Sequence, residues 1–213
     1  MFFKLNIPDK IYKELNRDRS LNYHFRAKNV GECSKIYDEF RLLGGGNKKQ
    51  WKDFYFTKQP KEPLLIASNY IVDKYHISLK IAKEYVAYRV IGQTWNGMKN
   101  EELIVSELQE EFKNITFKKS DYYKDQNLFV DWEAYENKTL LFGIQIKPLS
   151  YLKMSCPYQL KAKDNHNKQA NEYKRIFKVP HIIIYYDWNK IHNPVKVFNK
   201  INTILLFQID VNL

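Results

Sequence analysis

Two short apolar segments, residues 128–135 and 139–146, lie on either side of the tripeptide Glu136-Asn137-Lys138. This pattern predicts a tight β-hairpin, and it constrains the fold more than any other feature of the chain. A third apolar run, residues 181–186, predicts a strand that is buried on both faces. We therefore expect the C-terminal half of the chain to contain the centre of a β-sheet.

The spacing of apolar residues predicts further elements around these strands. Helices are expected over residues 31–43, 78–91 (capped by Ser78), 98–112 and 165–177, and strands over residues 115–118 and 203–209. Trp95-Asn96-Gly97 has the composition of a turn that leads into the third helix. The order of elements in the C-terminal half predicts an α/β (α+β) fold, with helices flanking a central mixed sheet.

The N-terminal region differs from this core. It is predicted to be mainly helical, with one clear break at Gly44-Gly45-Gly46-Asn47-Lys48-Lys49. The aromatic residues that follow, Trp51, Phe54 and Tyr55, are more typical of a hydrophobic core than of a base-stacking surface. We expect an N-terminal region over residues 1–93 and a core over residues 94–213, which together could form one compact unit.

Charge favours a polyanionic partner. The chain has 35 Lys and Arg against 24 Asp and Glu, a formal net charge of +11. Such a surplus attracts nucleic acid, the commonest polyanion. A chain rich in Lys, Asn, Ile and Tyr can also reflect an AT-rich genome, so charge alone leaves both interpretations open.

Cysteine usage and hydropathy indicate the cellular compartment and exclude some kinds of site. Cys33 and Cys156 lie 123 positions apart and form no CxxC pair, which argues against a zinc site and a disulfide framework. A reducing cytoplasm is therefore the expected compartment. No run of about 18 apolar residues occurs, so we expect no membrane span.

Polar residues with catalytic potential lie in the predicted hairpin. Asp131 follows the apolar run 128–130, and Gln145 and Lys147 share one face of the next strand because side chains alternate. A carboxylate and an amide oxygen can hold Mg²⁺, and a nearby Lys can orient water or stabilise charge on phosphorus. Phosphodiester hydrolysis is the reaction that such a cluster suits.

These residues resemble the PD-(D/E)XK nuclease superfamily, which includes many type II restriction endonucleases. The superfamily pattern appears here as Val130-Asp131 followed by Gln145-Ile146-Lys147, with Gln145 in place of the usual acid. The resemblance implies metal ligands at Asp131 and Gln145, catalytic roles for these residues and Lys147, and Mg²⁺ (or Mn²⁺) as cofactor. Since Gln145 removes one negative charge, a further carboxylate is expected.

The superfamily usually supplies that carboxylate from a helix before the hairpin. Glu101 and Glu102 are the two candidates, and Glu101 is preferred because it shares a helix face with Val105, Leu108 and Phe112. Further along, Gln169 and Tyr173 resemble a QxxxY helix motif found in RecB-like members. The segment from Gln145 to Ser150, with the later IIYYD run, also resembles the CTAG-cutting restriction enzymes of methanogens.

Two segments are candidates for DNA contact. The loop residues Gly45, Gly46, Asn47, Lys48 and Lys49 could let the backbone approach a phosphate, although an ordinary flexible loop fits them equally well. The helix residues His166, Lys168, Gln169 and Tyr173 could lie near the DNA backbone, or could be ordinary helix side chains.

Together these features predict a sequence-specific, Mg²⁺-dependent type II restriction endonuclease that acts on double-stranded DNA as a homodimer. The N-terminal region would then serve DNA recognition, dimerisation or both. Two alternatives stay open: a non-catalytic nucleic-acid-binding protein with a nuclease-like sheet, and a repair or junction-resolving nuclease with the same core.

Overall fold

The computed structural model of the chain describes residues 7–209, in which two compact units divide after Lys99. The first unit is helical. Its α-helices are α1 (Asp9–Arg17), α2 (Ala27–Val30), α3 (Cys33–Leu42), α4 (Lys48–Lys58), α5 (Glu62–Tyr75) and α6 (Leu79–Ala87). A 3-10 turn (Arg19–Tyr23) follows α1, and a π-helical turn (Tyr88–Gly92) joins α6 to α7 (Gln93–Glu111), which runs across the division.

Large aromatic side chains form the core of the first unit. Trp51 and Tyr55 are fully buried on α4, and each satisfies its polar atom internally. The Trp51 indole donates to the Ile91 carbonyl at 3.0 Å, and the Tyr55 hydroxyl donates to the Val30 carbonyl at 2.8 Å. These two residues therefore belong to the core, as the sequence favoured.

The second unit contains the sheet. Its elements after α7 are β1 (Thr116–Lys119), α8 (Tyr122–Leu128), β2 (Trp132–Glu136), β3 (Thr139–Pro148), a 3-10 turn (Leu149–Lys153), α9 (Pro157–Phe177), β4 (His181–Asp187), β5 (Lys190–Ile191) and α10 (Pro194–Ile209). The five strands lie in the order β1-β2-β3-β4-β5. Among the strands of the described segment, only β3 and β4 pair in parallel, and α9 lies between them in the chain. The mixed α/β fold expected from the sequence is confirmed.

The two faces of the sheet have different surroundings. Trp132, Ile144 and Ile146 belong to an apolar cluster with residues of α7 and α10. Because side chains alternate along a strand, Gly143, Gln145 and Lys147 project from the opposite face of β3. Tyr173 of α9 covers that face so closely that a Cβ at Gly143 would lie 2.6 Å from its ring. The polar residues of interest thus share the face that packs under α9.

Several predicted boundaries are wrong. The segment predicted as a final strand, residues 203–209, belongs to α10, where Ile201 is fully buried and Ile204 packs on the sheet's apolar cluster. A helix covers the apolar cluster better here because its buried residues recur at intervals of three and four. The strand predicted over residues 128–135 begins only at Trp132, since Leu128 ends α8.

Three further predictions need correction. Trp95-Asn96-Gly97 lies inside α7 and forms no turn. The α9 helix begins at Pro157, eight residues before the predicted start, because Pro at its first position and Gln159 near its N-terminus favour helix initiation there. Strand β4 is buried on one face only, through Ile182 and Ile184, whereas the alternating residues His181, Ile183 and Tyr185 are partly exposed.

Within residues 7–209, none of the helices combines the length and apolar character that crossing a membrane would require.

Candidate active site

The β2–β3 hairpin brings Asp131 and Gln145 together. Asn137 and Lys138 have φ angles of 47° and 71°, the left-handed pair that a two-residue hairpin turn requires. Strands β2 and β3 then pair with Trp132 opposite Ile144. Asp131 precedes β2 by one residue, and its backbone N–H donates to the Ile144 carbonyl at 2.8 Å. The pairing shifts by one residue between Ala134 and Tyr135, and this shift, together with the turn, places Asp131 beside Gln145.

The Asp131 carboxylate is buried and held by the neighbouring strand. Asp131 is 5% exposed, and Gln145 is 1% exposed. One carboxylate oxygen, Oδ2, accepts a hydrogen bond from the Ile146 backbone N–H at 2.7 Å and another from the Gln145 side-chain amide. Since an amide oxygen would repel the carboxylate, the NH₂ group must face Asp131. The Gln145 Oε1 atom is left without a hydrogen-bond partner in the described part of the chain.

Lys147 lies on the same face of β3 as Gln145 and is half-buried. Its ammonium nitrogen is 5.0 Å from the ring centroid of Phe129, a cation–π contact. Its charge also stabilises the ionised form of Glu101 and opposes protonation of His166. Lys147 therefore lies where its charge acts on carboxylates of α7 and α8.

Helix α7 supplies a further carboxylate. Burial and the charge of Asp131 raise the pKa of Glu101 well above its usual value, and Lys119 and Lys147 partly oppose that rise. A nearby like charge disfavours the ionised form of a carboxyl group, so the charge of Asp131 acts on Glu101. Glu101, the preferred member of the Glu101/Glu102 pair, is thus the one for which the structure shows an interaction with Asp131.

Asp125 is a carboxylate that the sequence analysis missed. It lies on α8, and burial followed by the charge of Asp131 raises its pKa. The Gln126 side chain donates to its Oδ2 at 3.1 Å. The helix had a detectable start signal, because Asp121 caps it by accepting the Lys124 backbone N–H at 2.9 Å. Because a strand was predicted to begin at Leu128, this helix was not predicted, and Asp125 was not recognised as a candidate.

A comparison with protein families gives a match over residues 15–202 to the model of the MjaI restriction endonuclease. The chain belongs to this restriction endonuclease family. Membership identifies it as a type II restriction endonuclease, and DNA as the substrate of its class. Searches of curated proteins and of solved structures returned no significant match.

Restriction endonucleases generally use divalent metal ions. No group of three or more His, Cys, Asp or Glu residues in the segment 7–209 is arranged to hold a metal ion. The candidate donor set here is mixed, because an amide oxygen joins the carboxylates. Three observations fit a hard cation: an unpartnered buried oxygen on Gln145, a buried carboxylate on Asp131, and raised pKa values at Glu101 and Asp125.

The residues of α9 predicted to contact DNA have other partners. The imidazole of His166 stacks on the Phe129 ring at 4.2 Å. Gln169 donates to the Gln126 carbonyl at 2.9 Å, which ties α9 to α8. Lys168 is exposed and forms an ion pair with Asp164 at 2.7 Å. Of these three, Lys168 is the side chain most open to solvent.

Tyr173, which the sequence predicted to contact DNA, has partners inside the protein. It is fully buried, and its hydroxyl donates to Glu133 Oε1 at 2.9 Å. Glu133 also accepts hydrogen bonds from Lys124 and from the Tyr135 hydroxyl, both at 2.9 Å. Its carboxylate is therefore satisfied by three donors, and we assign Tyr173 and Glu133 to the support of the sheet.

The glycine-rich segment lies in the first unit. Gly45 has a φ of 61°, and its N–H donates to the Phe40 carbonyl at 3.0 Å at the end of α3. Gly46 has a φ of 152°. Asn47 caps α4, since its side-chain oxygen accepts the N–H groups of Lys49 and Gln50 at 3.0 and 3.1 Å. Lys48 and Lys49 thus belong to the first turn of α4, whereas the sequence predicted a loop.

Proposed function

We propose that the chain hydrolyses DNA phosphodiester bonds in a sequence-specific, Mg²⁺-dependent reaction at Asp131, Gln145, Lys147 and Glu101. The observation that supports this most strongly is the pairing of Asp131 with Gln145, which leaves a buried amide oxygen without a partner beside a buried carboxylate. In this proposal the site is of the PD-(D/E)XK type, with Gln145 in the position of the usual second acid.

Asp131, Gln145 and Glu101 would hold the metal, with Mn²⁺ as an alternative to Mg²⁺. A bound divalent cation supplies Lewis-acid stabilisation of phosphate charge and lowers the pKa of bound water. Lys147 would then orient the attacking water or stabilise charge on the phosphoryl oxygens. The Ile146 backbone N–H keeps Asp131 fixed in the orientation that these roles require.

Most of the chain's net positive charge lies in residues 1–99. Residues 1–99 contain 19 Lys and Arg against 10 Asp and Glu, a net charge of +9, whereas residues 100–213 contain 16 against 14. A surplus of this kind favours binding to phosphates. We propose that the N-terminal region recognises the target or forms the contact of a homodimer, and that the protein acts in the cytoplasm, where the thiols of Cys33 and Cys156 remain reduced.

Plasmid digestion tests the proposed reaction. The wild type is incubated with Mg²⁺ and plasmids with and without CTAG sites, the sequence cut by enzymes that the 145–150 segment resembles. Discrete fragments are expected from the wild type and none from Asp131→Ala or Lys147→Ala. Asp73→Ala and Lys113→Ala, which change exposed residues of the same types, should cut like the wild type.

Two outcomes would contradict the proposal. Tight DNA binding without cleavage, on varied substrates with Mg²⁺ and Mn²⁺, would indicate a non-catalytic binding protein. Cleavage confined to branched or damaged DNA would indicate a junction-resolving or repair nuclease.

A further inference from the structure

Phe129 lies at the junction between α8 and β2, and its backbone is held on both sides. Its φ of 57° is left-handed, a conformation that bulky residues rarely adopt. Its N–H closes α8 by donating to the Lys124 carbonyl. Its carbonyl accepts a hydrogen bond from His181 Nε2 at 2.7 Å. Burial lowers the pKa of His181 to about 4, so near neutral pH the ring is uncharged and carries its proton on Nε2.

The Phe129 side chain is held as well. The His166 imidazole stacks on its ring with a centroid distance of 4.2 Å and an interplanar angle of 10°. His166 is itself anchored, because its Nδ1 is 3.0 Å from the Tyr151 hydroxyl in a hydrogen bond. Since Phe129 is 5% exposed, the aromatic ring has little room to rotate away from this stack.

Lys147 contacts this fixed ring. Its ammonium nitrogen lies 5.0 Å from the Phe129 ring centroid. A lysine has four rotatable side-chain bonds, so a half-buried Lys147 would sample several positions without a partner. An aromatic face attracts an ammonium without neutralising its charge, whereas a carboxylate partner would form an ion pair. Phe129 can therefore restrict where the ammonium lies and still leave its charge available.

We infer that Phe129 is the positioning residue for Lys147, and that His166 holds the Phe129 ring in place. This role rests on the proposed function, in which Lys147 acts on the phosphate. His166 would then influence cleavage through Phe129, without the DNA contact that the sequence suggested for it. The left-handed φ of Phe129 fits this role, because strained residues persist where surrounding contacts hold them.

Two substitutions at Phe129 distinguish the effect of its aromatic face on Lys147 from the effect of its apolar packing. Phe129→Leu keeps an apolar side chain but removes the ring, and Phe129→Tyr keeps the ring. Phe198→Leu is the matched control, because Phe198 makes an edge contact with Phe112 at 5.8 Å in the apolar cluster beneath the other face of the sheet. Each protein is compared by single-turnover cleavage with saturating DNA and Mg²⁺, by DNA affinity and by Tm.

Phe129→Leu should slow the single-turnover step by about tenfold or more, since a small displacement of a catalytic group is costly. Its DNA affinity should change by less than about threefold, and Phe129→Tyr should recover most of the rate. Phe198→Leu should lower Tm without the selective loss of rate. The inference is overturned if Phe129→Leu cleaves at the wild-type rate, if Phe129→Tyr is as slow as Phe129→Leu, or if rate and DNA affinity fall in parallel.

A second measurement is independent of cleavage. In NMR spectra the Lys147 ε-methylene protons should be shifted upfield by the Phe129 ring, with assignment from Lys147→Arg, and the shift should disappear in Phe129→Leu. An upfield shift in a wild type that cuts no DNA would contradict the proposed function and leave the Lys147–Phe129 contact standing. Absence of the shift in a wild type that does cut would overturn the positioning role alone.

Discussion

The side-chain amide of Gln145 donates a hydrogen bond to the Asp131 carboxylate, and the other end of that amide has no partner in the described segment. Buried polar atoms are normally paired, so an unpaired amide oxygen beside a buried carboxylate needs a reason. A cation shared by Gln145 and Asp131 supplies one, because both oxygens would then be coordinated.

Replacing Gln145 with Glu should make the metal-free protein less stable and more responsive to Mg²⁺. The substitution puts a second carboxylate against Asp131 in place of a hydrogen-bond donor, and two such groups repel one another. In EDTA at pH 8 the Tm should fall below that of the wild type. Adding Mg²⁺ should then raise the Tm by more than it does in the wild type.

Gln109→Glu provides the comparison for that experiment. The Gln109 amide donates to the carbonyls of Phe112 and Ile115, so its loss should lower the Tm and leave the Mg²⁺ response unchanged. Equal Mg²⁺ responses in Gln145→Glu and the wild type would mean that residue 145 does not bind the metal.

Glu101→Gln should stabilise the metal-free protein at alkaline pH. Burial and Asp131 raise the folded-state pKa of Glu101, so ionising this residue costs stability above the folded pKa. The cost is absent below the unfolded value of about 4.3. In EDTA the Tm of the variant should exceed that of the wild type at pH 8, by roughly 2–4 °C for each kcal/mol relieved. The difference should disappear as the pH approaches 4.

Glu102→Gln tests the choice between the two neighbouring acids. It should show a smaller loss of cleavage than Glu101→Gln. A larger loss of cleavage in Glu102→Gln would reverse the assignment of the α7 carboxylate.

Metal binding should release protons. The raised pKa values of Glu101 and Asp125 mean that these carboxyls hold protons at higher pH than usual, and a cation binds only their ionised forms. Mg²⁺ affinity should therefore weaken as the pH falls through these raised values. Calorimetry at pH 6.5 in two buffers of different ionisation enthalpy measures the protons released per metal ion. An identical heat in both buffers would show that the metal binds elsewhere or that these groups are already ionised.

Gly143→Ala should destabilise the sheet beneath α9. The new Cβ would lie 2.6 Å from the Tyr173 ring, so Tyr173 must move away from Glu133. Overpacking of this kind costs about 1–3 kcal/mol, and the Tm should fall accordingly. Gly97→Ala is the matched control, because nothing lies within 4 Å of its Cβ on helix α7. It should raise stability by roughly 0.5–1 kcal/mol. A Gly143→Ala protein as stable as the wild type would contradict the tight approach of Tyr173.

The sequence predicted the hairpin well because local chemistry determines it. Apolar runs on either side of Asn137-Lys138 predict the turn and its two strands, whereas the register shift between Ala134 and Tyr135, which brings Asp131 beside Gln145, follows from the folded sheet. The same reasoning failed for residues 203–209, because a short apolar run fits a buried strand and a buried helix face equally well. Packing on the sheet, through residues such as Ile204, decided in favour of the helix.

The sequence could not predict which side chains contact one another around the candidate site. The charge of Asp131 acts on Asp125 because residues 122–128 form a helix before β2. Tyr173 matched a motif that suggested a functional role, yet its hydroxyl is used inside the protein by Glu133. His166 likewise has an aromatic partner, Phe129, that lies 37 positions earlier in the chain. Contacts across such distances in sequence depend on the folded arrangement of several elements.

Single-turnover cleavage by Asp131→Asn tests the central claim most directly. The substitution keeps the size of the side chain and removes the charge that would hold the metal, so the fold and DNA affinity should be nearly preserved. With Mg²⁺ and a cleavable duplex in excess enzyme, the rate should fall by about 10³-fold or more, the scale expected when electrostatic stabilisation of the reaction is lost. Cleavage by Asp131→Asn at the wild-type rate would contradict the claim that the Asp131–Gln145 pair forms the catalytic site.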